Sequence, residues 1–176
     1  PSNNLSFISS GCRLLDCALG GGYPLGRIVN VVGDKSTGKT LLAIEACANF
    51  LRAHPQGRVL YVEAEACFDL AYARTLGLPV GHVNLRQDVN TVEDLFTQLC
   101  KFVEHQSSAR PGLVVVDSLD ALTDKAETER AIDEGSYGAG KAKKMSELFR
   151  RLVRKLEQAR VSVLIVSQVR DAIGVT

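Results

Sequence analysis

Eight consecutive residues, Gly33-Asp34-Lys35-Ser36-Thr37-Gly38-Lys39-Thr40, fit the pattern G-x-x-x-x-G-K-[ST]. Its chemistry is phosphate binding: the glycines let backbone N–H groups curl around phosphate oxygens at the positive end of the following helix. Lys39 would reach the β- and γ-phosphates of a nucleoside triphosphate, and the Thr40 hydroxyl would ligate Mg2+. The pattern needs a strand before it and a helix after it. The flanks supply both, I-V-N-V-V ahead and L-L-A-I-E-A-C-A-N-F behind, and Leu41, first of the latter, completes the candidate nucleotide contacts. An acid, Asp117, closes the apolar run L-V-V-V, where a strand-end carboxylate can hold the Mg2+ shell beside a phosphate loop. A further carboxylate could polarise a water for attack on the γ-phosphate. The run V-E-A-E offers Glu63 and Glu65; the pattern does not choose between them, and the other is expected to be a solvated loop charge.

These groups need elements to position them. Apolar runs at 27–32, 59–63, 83–86, 113–117 and 162–167 read as strands. The first, second, fourth and fifth are nearly continuous in Val, Ile and Leu, as parallel strands buried on both faces should be. Helical patterns lie between them near 39–53, 69–76, 91–106 and 141–159. Repeated strand–helix–strand units predict a doubly wound α/β domain, a mostly parallel sheet flanked by helices. Glycines punctuate the entry to the first strand at 20–26 and a loop at 131–140.

The chain has 176 residues, 45% of them hydrophobic and 23% charged, which suits one domain over 1–176 and excludes disorder. No apolar run approaches the ~18 residues of a membrane span, so no membrane partner is expected. Pro1 stands where Met is expected, so the chain is expected to be a trimmed piece of a longer protein. The five cysteines, odd in number and without C-x-x-C spacing, read mostly as small reduced hydrophobes in a cytoplasmic setting.

Five blocks in order carry a resemblance: I-S-S-G-C-R-L-L-D-C-A-L-G-G-G-Y-P-L-G-R-I, then Y-V-E-A-E-A-C-F-D, Y-A-R-T-L-G, V-V-V-D-S-L-D-A-L-T-D-K-A-E and S-Q-V-R. Over essentially its whole length the chain resembles the ATPase core of RecA-type DNA strand-exchange proteins, a RecA-like P-loop NTPase fold. The resemblance implies ATP and Mg2+ as cofactors, DNA-dependent ATP hydrolysis coupled to strand exchange in recombination and repair, and Glu65 as the catalytic glutamate. It puts Asp69 and Tyr72 against the adenine, Asp117 on the Mg2+, and Gln168 as the γ-phosphate sensor leading into a DNA-binding loop that Arg170 begins. A Gln at a strand end can relay phosphate occupancy to a mobile loop.

On the DNA side, the loop at 131–140 matches the first DNA-binding loop, with Gly135, Ser136 and Gly138 around Tyr137, whose ring would stack on or between bases. The helix after it carries Lys141, Lys143, Lys144, Arg150, Arg151, Arg154 and Lys155, with Arg160 at its end, in a chain of net charge +1. Lys143 and Arg150 are expected to meet the DNA phosphates. The acids of 117–134, among them Asp120, Asp124, Glu127 and Glu129, make intramolecular pairing a rival use of those charges. The resemblance also implies single-stranded and duplex DNA as partners and a helical filament of copies. Lys35 inside the phosphate loop, Ser167 before the glutamine, and one extra residue ahead of the basic helix depart from bacterial members and suggest a divergent, phage-encoded one, acting in the host cytoplasm. Two alternatives stay open: a related ring motor or regulatory ATPase of the same fold, and a nucleotide-gated binding module without turnover.

Overall fold

The computed structural model describes residues 6–125 and 138–169, with side chains from 142 onward in the second stretch. Two short strands, β1 (Phe7–Ile8) and β2 (Tyr23–Pro24), pair antiparallel around α1 (Arg13–Ala18). The main chain of the fold then alternates: β3 (Ile28–Gly33), α2 (Lys39–Ala53), β4 (Arg58–Glu63), α3 (Leu70–Thr75), β5 (Val83–Arg86), α4 (Val92–Glu104), β6 (Gly112–Asp117), α5 (Gly138–Ala159) and β7 (Val161–Gln168). The five longer strands form one parallel sheet in the order β3-β7-β6-β4-β5.

Side-chain alternation explains why the central strands are apolar at every position. On β6, Leu113 and Val115 face the layer of α2, meeting Ala43, Ile44, Cys47 and Phe50. Val114 and Val116 face the opposite layer, where α4 and α5 bring Leu95, Leu99, Leu148, Leu152 and Leu156. Each such buried side chain contributes about 1.5–3 kcal/mol. Thr91 starts α4, its hydroxyl accepting from the Asp94 N–H at 3.2 Å and donating to the Asp94 carboxylate at 2.7 Å.

Two expectations need correction. The first strand is not buried on both faces: among the described residues β3 is a sheet edge paired only with β7, Asn30 is exposed and Val32 is 56% exposed. Burial depends on neighbours, and a run of Val and Ile does not say how many the strand will have. Nor are the cysteines mostly core residues. Cys47 is buried and Cys100 half-buried, while Cys12, Cys17 and Cys67 are exposed; all five are free thiols. Among the described residues no helix is long and apolar enough to cross a membrane.

Candidate nucleotide and nucleic-acid site

The loop between β3 and α2 is shaped by backbone angles that its residue types permit. Gly38 takes φ +89° and Ser36 φ +61°, the left-handed region that glycine enters without penalty. A side chain at Gly33 would put its Cβ 3.1 Å from Thr37 Oγ1. The Thr37 hydroxyl donates to the Asp34 carbonyl at 2.8 Å, and Lys39 Nζ donates to the same oxygen at 2.5 Å. Lys39 is only 8% exposed, so its charge lies folded into the loop. Residues 35–40, Glu65, Cys67, Asp117, Ser118, Val166 and Gln168 line one cleft of about 240 Å3. It opens at the carboxyl ends of the strands, beside the amino end of a 15-residue helix whose first turn carries no acid.

Strand register brings the acids there. Glu63 on β4 lies opposite Asp117 on β6, and Gly33 on β3 opposite Gln168 on β7. Asp117 is 2% exposed, and its Oδ2 accepts from the Tyr61 hydroxyl at 2.8 Å. Burial pushes the Asp117 carboxyl above its usual range; hydrogen bonds from Tyr61 and Thr40 pull it back, and the nearby Glu65 and Glu63 push it up again. The Thr40 hydroxyl bonded to a buried carboxylate is a pair of hard oxygen donors, a set that fits Mg2+.

Glu65 is exposed at the cleft mouth, where one oxygen accepts from Gln168 Nε2 at 3.1 Å and from the Ser118 hydroxyl. The Gln168 N–H donates to Asp120 Oδ2 at 2.7 Å, anchoring the end of β7. Glu63 is the buried one of the two glutamates, 2% exposed and tied to the turn that follows β4. The expected solvated loop charge is therefore not Glu63, and Glu65 alone of the pair lines the cleft. Burial, then the charges of Asp117, Glu63 and Glu65, push the Cys67 thiol up to about 11.

Asp69 and Tyr72 lie outside the cleft lining. Asp69 caps α3, its Oδ1 accepting from the N–H groups of Ala71 at 2.7 Å and Tyr72 at 3.1 Å, while Tyr72 is 45% exposed on that helix. Leu41 faces outward from the first turn of α2, 37% exposed. Gly135, Ser136, Tyr137 and Arg170 lie outside the described residues, and Gly138 enters only as the first backbone position of α5.

On α5 the apolar positions Met145, Leu148, Leu152 and Leu156 are buried. Lys143 and Arg150 are exposed with Arg154 and Lys155, and none of them makes an ion pair with a described residue. Lys144 instead bridges Glu93 at 2.6 Å and Asp124 at 3.7 Å, and Arg151 pairs with Glu147. Intramolecular pairing thus takes part of the basic helix. A larger hollow, about 520 Å3, sits at the amino ends of β4 and β5 among Arg58, His82, Lys101 and Arg110. It contains none of the candidate residues.

Sequence reasoning missed two side chains bonded to the acids around the site, Tyr61 on Asp117 and Gln87 on Glu63. Tyr61 was visible in principle, lying two residues before Glu63 on a strand that ends beside Asp117. Gln87 lies beyond β5 and gave no signal.

A family model for the RecA N-terminal domain matches residues 2–176. Protein RecA of Petrotoga mobilis is 38% identical over 176 residues, covering 99% of this chain and 46% of that protein. Protein RecA of Prochlorococcus marinus (strain NATL1A) is 37% identical over 171 residues, 96% of this chain and 43% of that protein. Protein RecA of Streptomyces avermitilis is 34% identical over 176 residues, with 99% and 45% coverage. The chain spans less than half the length of these curated relatives.

Proposed function

The chain belongs to the RecA N-terminal domain family, and on that premise we propose that it is the ATPase core of a recombinase that binds single-stranded DNA and couples ATP hydrolysis to strand exchange. The observation that carries this reading is the single cleft joining residues 35–40 to Glu65, Asp117 and Gln168 from four strand ends. In it the loop N–H groups bind the phosphates and Lys39 offsets charge as it develops on them. Thr40 directly, and Asp117 through a water, would hold Mg2+, which would supply charge neutralisation at the phosphates. Glu65 orients the attacking water and accepts its proton. Gln168, bonded to Glu65, changes partner when a γ-phosphate arrives and passes that change to the chain after β7, where Arg170 lies. Gly33, Asp34 and Leu41 complete the nucleotide pocket, with Asp69 and Tyr72 bonding and stacking on the adenine.

DNA meets the loop at Gly135, Ser136, Tyr137 and Gly138, and its phosphates meet Lys143 and Arg150 on α5. Copies assemble as a helical filament on single-stranded DNA in the cytoplasm and admit duplex DNA during exchange. The test is ATP hydrolysis with and without single-stranded DNA over a wide range of protein concentration, beside Lys39→Ala. Stimulation by DNA that rises cooperatively with concentration and disappears in the variant is expected. Hydrolysis indifferent to DNA would sink the recombinase reading.

A further inference from the structure

Glu63 is a carboxylate almost wholly removed from water, and no cation among the described residues pairs with it. Its charge is met by hydrogen bonds instead. Oε1 accepts from the backbone N–H of Glu65 at 3.0 Å and of Cys67 at 2.9 Å; Oε2 accepts from the side-chain amide of Gln87 at 3.0 Å. Two of the three donors belong to the turn that carries Glu65. That turn contains Ala66 at φ +54°, a left-handed conformation that an alanine does not hold unaided. Its first N–H, from Ala64, donates to the Asp117 carbonyl at 2.8 Å. The chain after β4 therefore wraps the Glu63 carboxylate and points Glu65 at Ser118 and Gln168.

We infer that Glu63, itself clamped by Gln87, is a positioning residue for Glu65. This rests on Glu65 acting on the water, as proposed above. Glu63 sets the direction of the turn and touches no reacting atom. Gln87 is exposed at the rim beyond β5, so the outermost strand of the sheet contributes to the geometry of the cleft through one amide.

The test is an amide-for-acid exchange across the Glu63–Gln87 pair. Gln87→Glu sets two carboxylates together, whereas Glu63→Gln alone lets the exposed Gln87 amide turn over and pair its oxygen with the new NH2. The double variant restores one donor and one acceptor with their places reversed. Hydrogen exchange is followed at the amides of Glu65 and Cys67, with ATP·Mg2+ affinity and DNA-stimulated turnover measured alongside. Gln87→Glu should speed exchange at those two amides about tenfold or more. It should also lower kcat about tenfold with KM within about twofold, because phosphate binding does not use the turn. The double variant should recover both. Gln87→Ala, a rim substitution that leaves the buried acid in place, should show the same exchange and kcat changes in milder form, and it stands in if Gln87→Glu does not fold.

Unchanged exchange at Glu65 and Cys67 in Gln87→Glu and Gln87→Ala, or loss of kcat that the double variant does not recover, overturns the inference. Glu65→Gln separates it from the reading beneath it. If that variant turns over ATP as fast as the parent, the assignment of Glu65 falls, whereas the exchange data still report whether Glu63 holds the turn.

Discussion

Asp117 carries conflicting demands at the scale of one residue. A carboxylate serves a metal best when ionised, and burial here disfavours that form. Its folded-state pKa lies above the usual value of 3.8, so the folded protein holds this proton to higher pH than the unfolded chain does. The stability it contributes is therefore full below about pH 4 and is lost as pH rises through the folded value. Asp117→Asn removes the charge and keeps the shape. In metal-free denaturation from pH 4 to 8, the variant should be the more stable protein at pH 8, with the gap closing as pH falls; a gap of constant size would mean that folding leaves this carboxyl's titration unchanged. What the sequence could say at this scale was residue type and spacing: the phosphate loop and Asp117 were legible because their chemistry is local. The spacing alone did not choose between Glu63 and Glu65, because which of two alternate carboxylates turns inward depends on where the strand ends; only the resemblance pointed to Glu65.

Among the elements, α5 divides its charges between two uses. Lys144 ties it to α4 and to the segment after β6, and Arg151 is engaged along the helix, whereas Lys143 and Arg150 stand in solvent. Charge reversal at Lys143 or Arg150 should weaken single-stranded DNA binding and lower the slope of log affinity against log salt by about 0.7 for each DNA phosphate left unneutralised. Arg151→Glu should leave that slope nearer the parent's. Equal slopes for all three variants would mean that α5 does not follow the DNA backbone. The helix itself was legible from its apolar spacing, but its start was placed at 141 and lies at Gly138. Glycine at 138 and 140 opposes helix by about 1 kcal/mol each, and continuation of the packed helix overrides that local preference. The central strands were legible for the opposite reason: burial on both faces writes itself into every position.

For the molecule as a whole, nucleotide binding should be readable as stability. If ATP·Mg2+ binds only the folded form, ligand at ~100 times its dissociation constant should add about 2.7 kcal/mol to unfolding, and Lys39→Ala should abolish the gain. An unchanged midpoint in the parent would mean that the cleft does not take the nucleotide. Strand order was beyond the sequence, since alternating strands and helices fit more than one arrangement of a parallel sheet. The arrangement found has a consequence for synthesis. Among the described residues β3, which carries the phosphate loop, pairs only with β7, Ile28 opposite Val163, so the cleft joins residues more than a hundred positions apart in sequence. A ribosome that has made the loop, its helix and both acids has still not made the strand that holds the loop in the sheet. The loop therefore waits, complete in sequence and unsupported in space, until residues 161–168 have been made and β7 can take its place between β3 and β6.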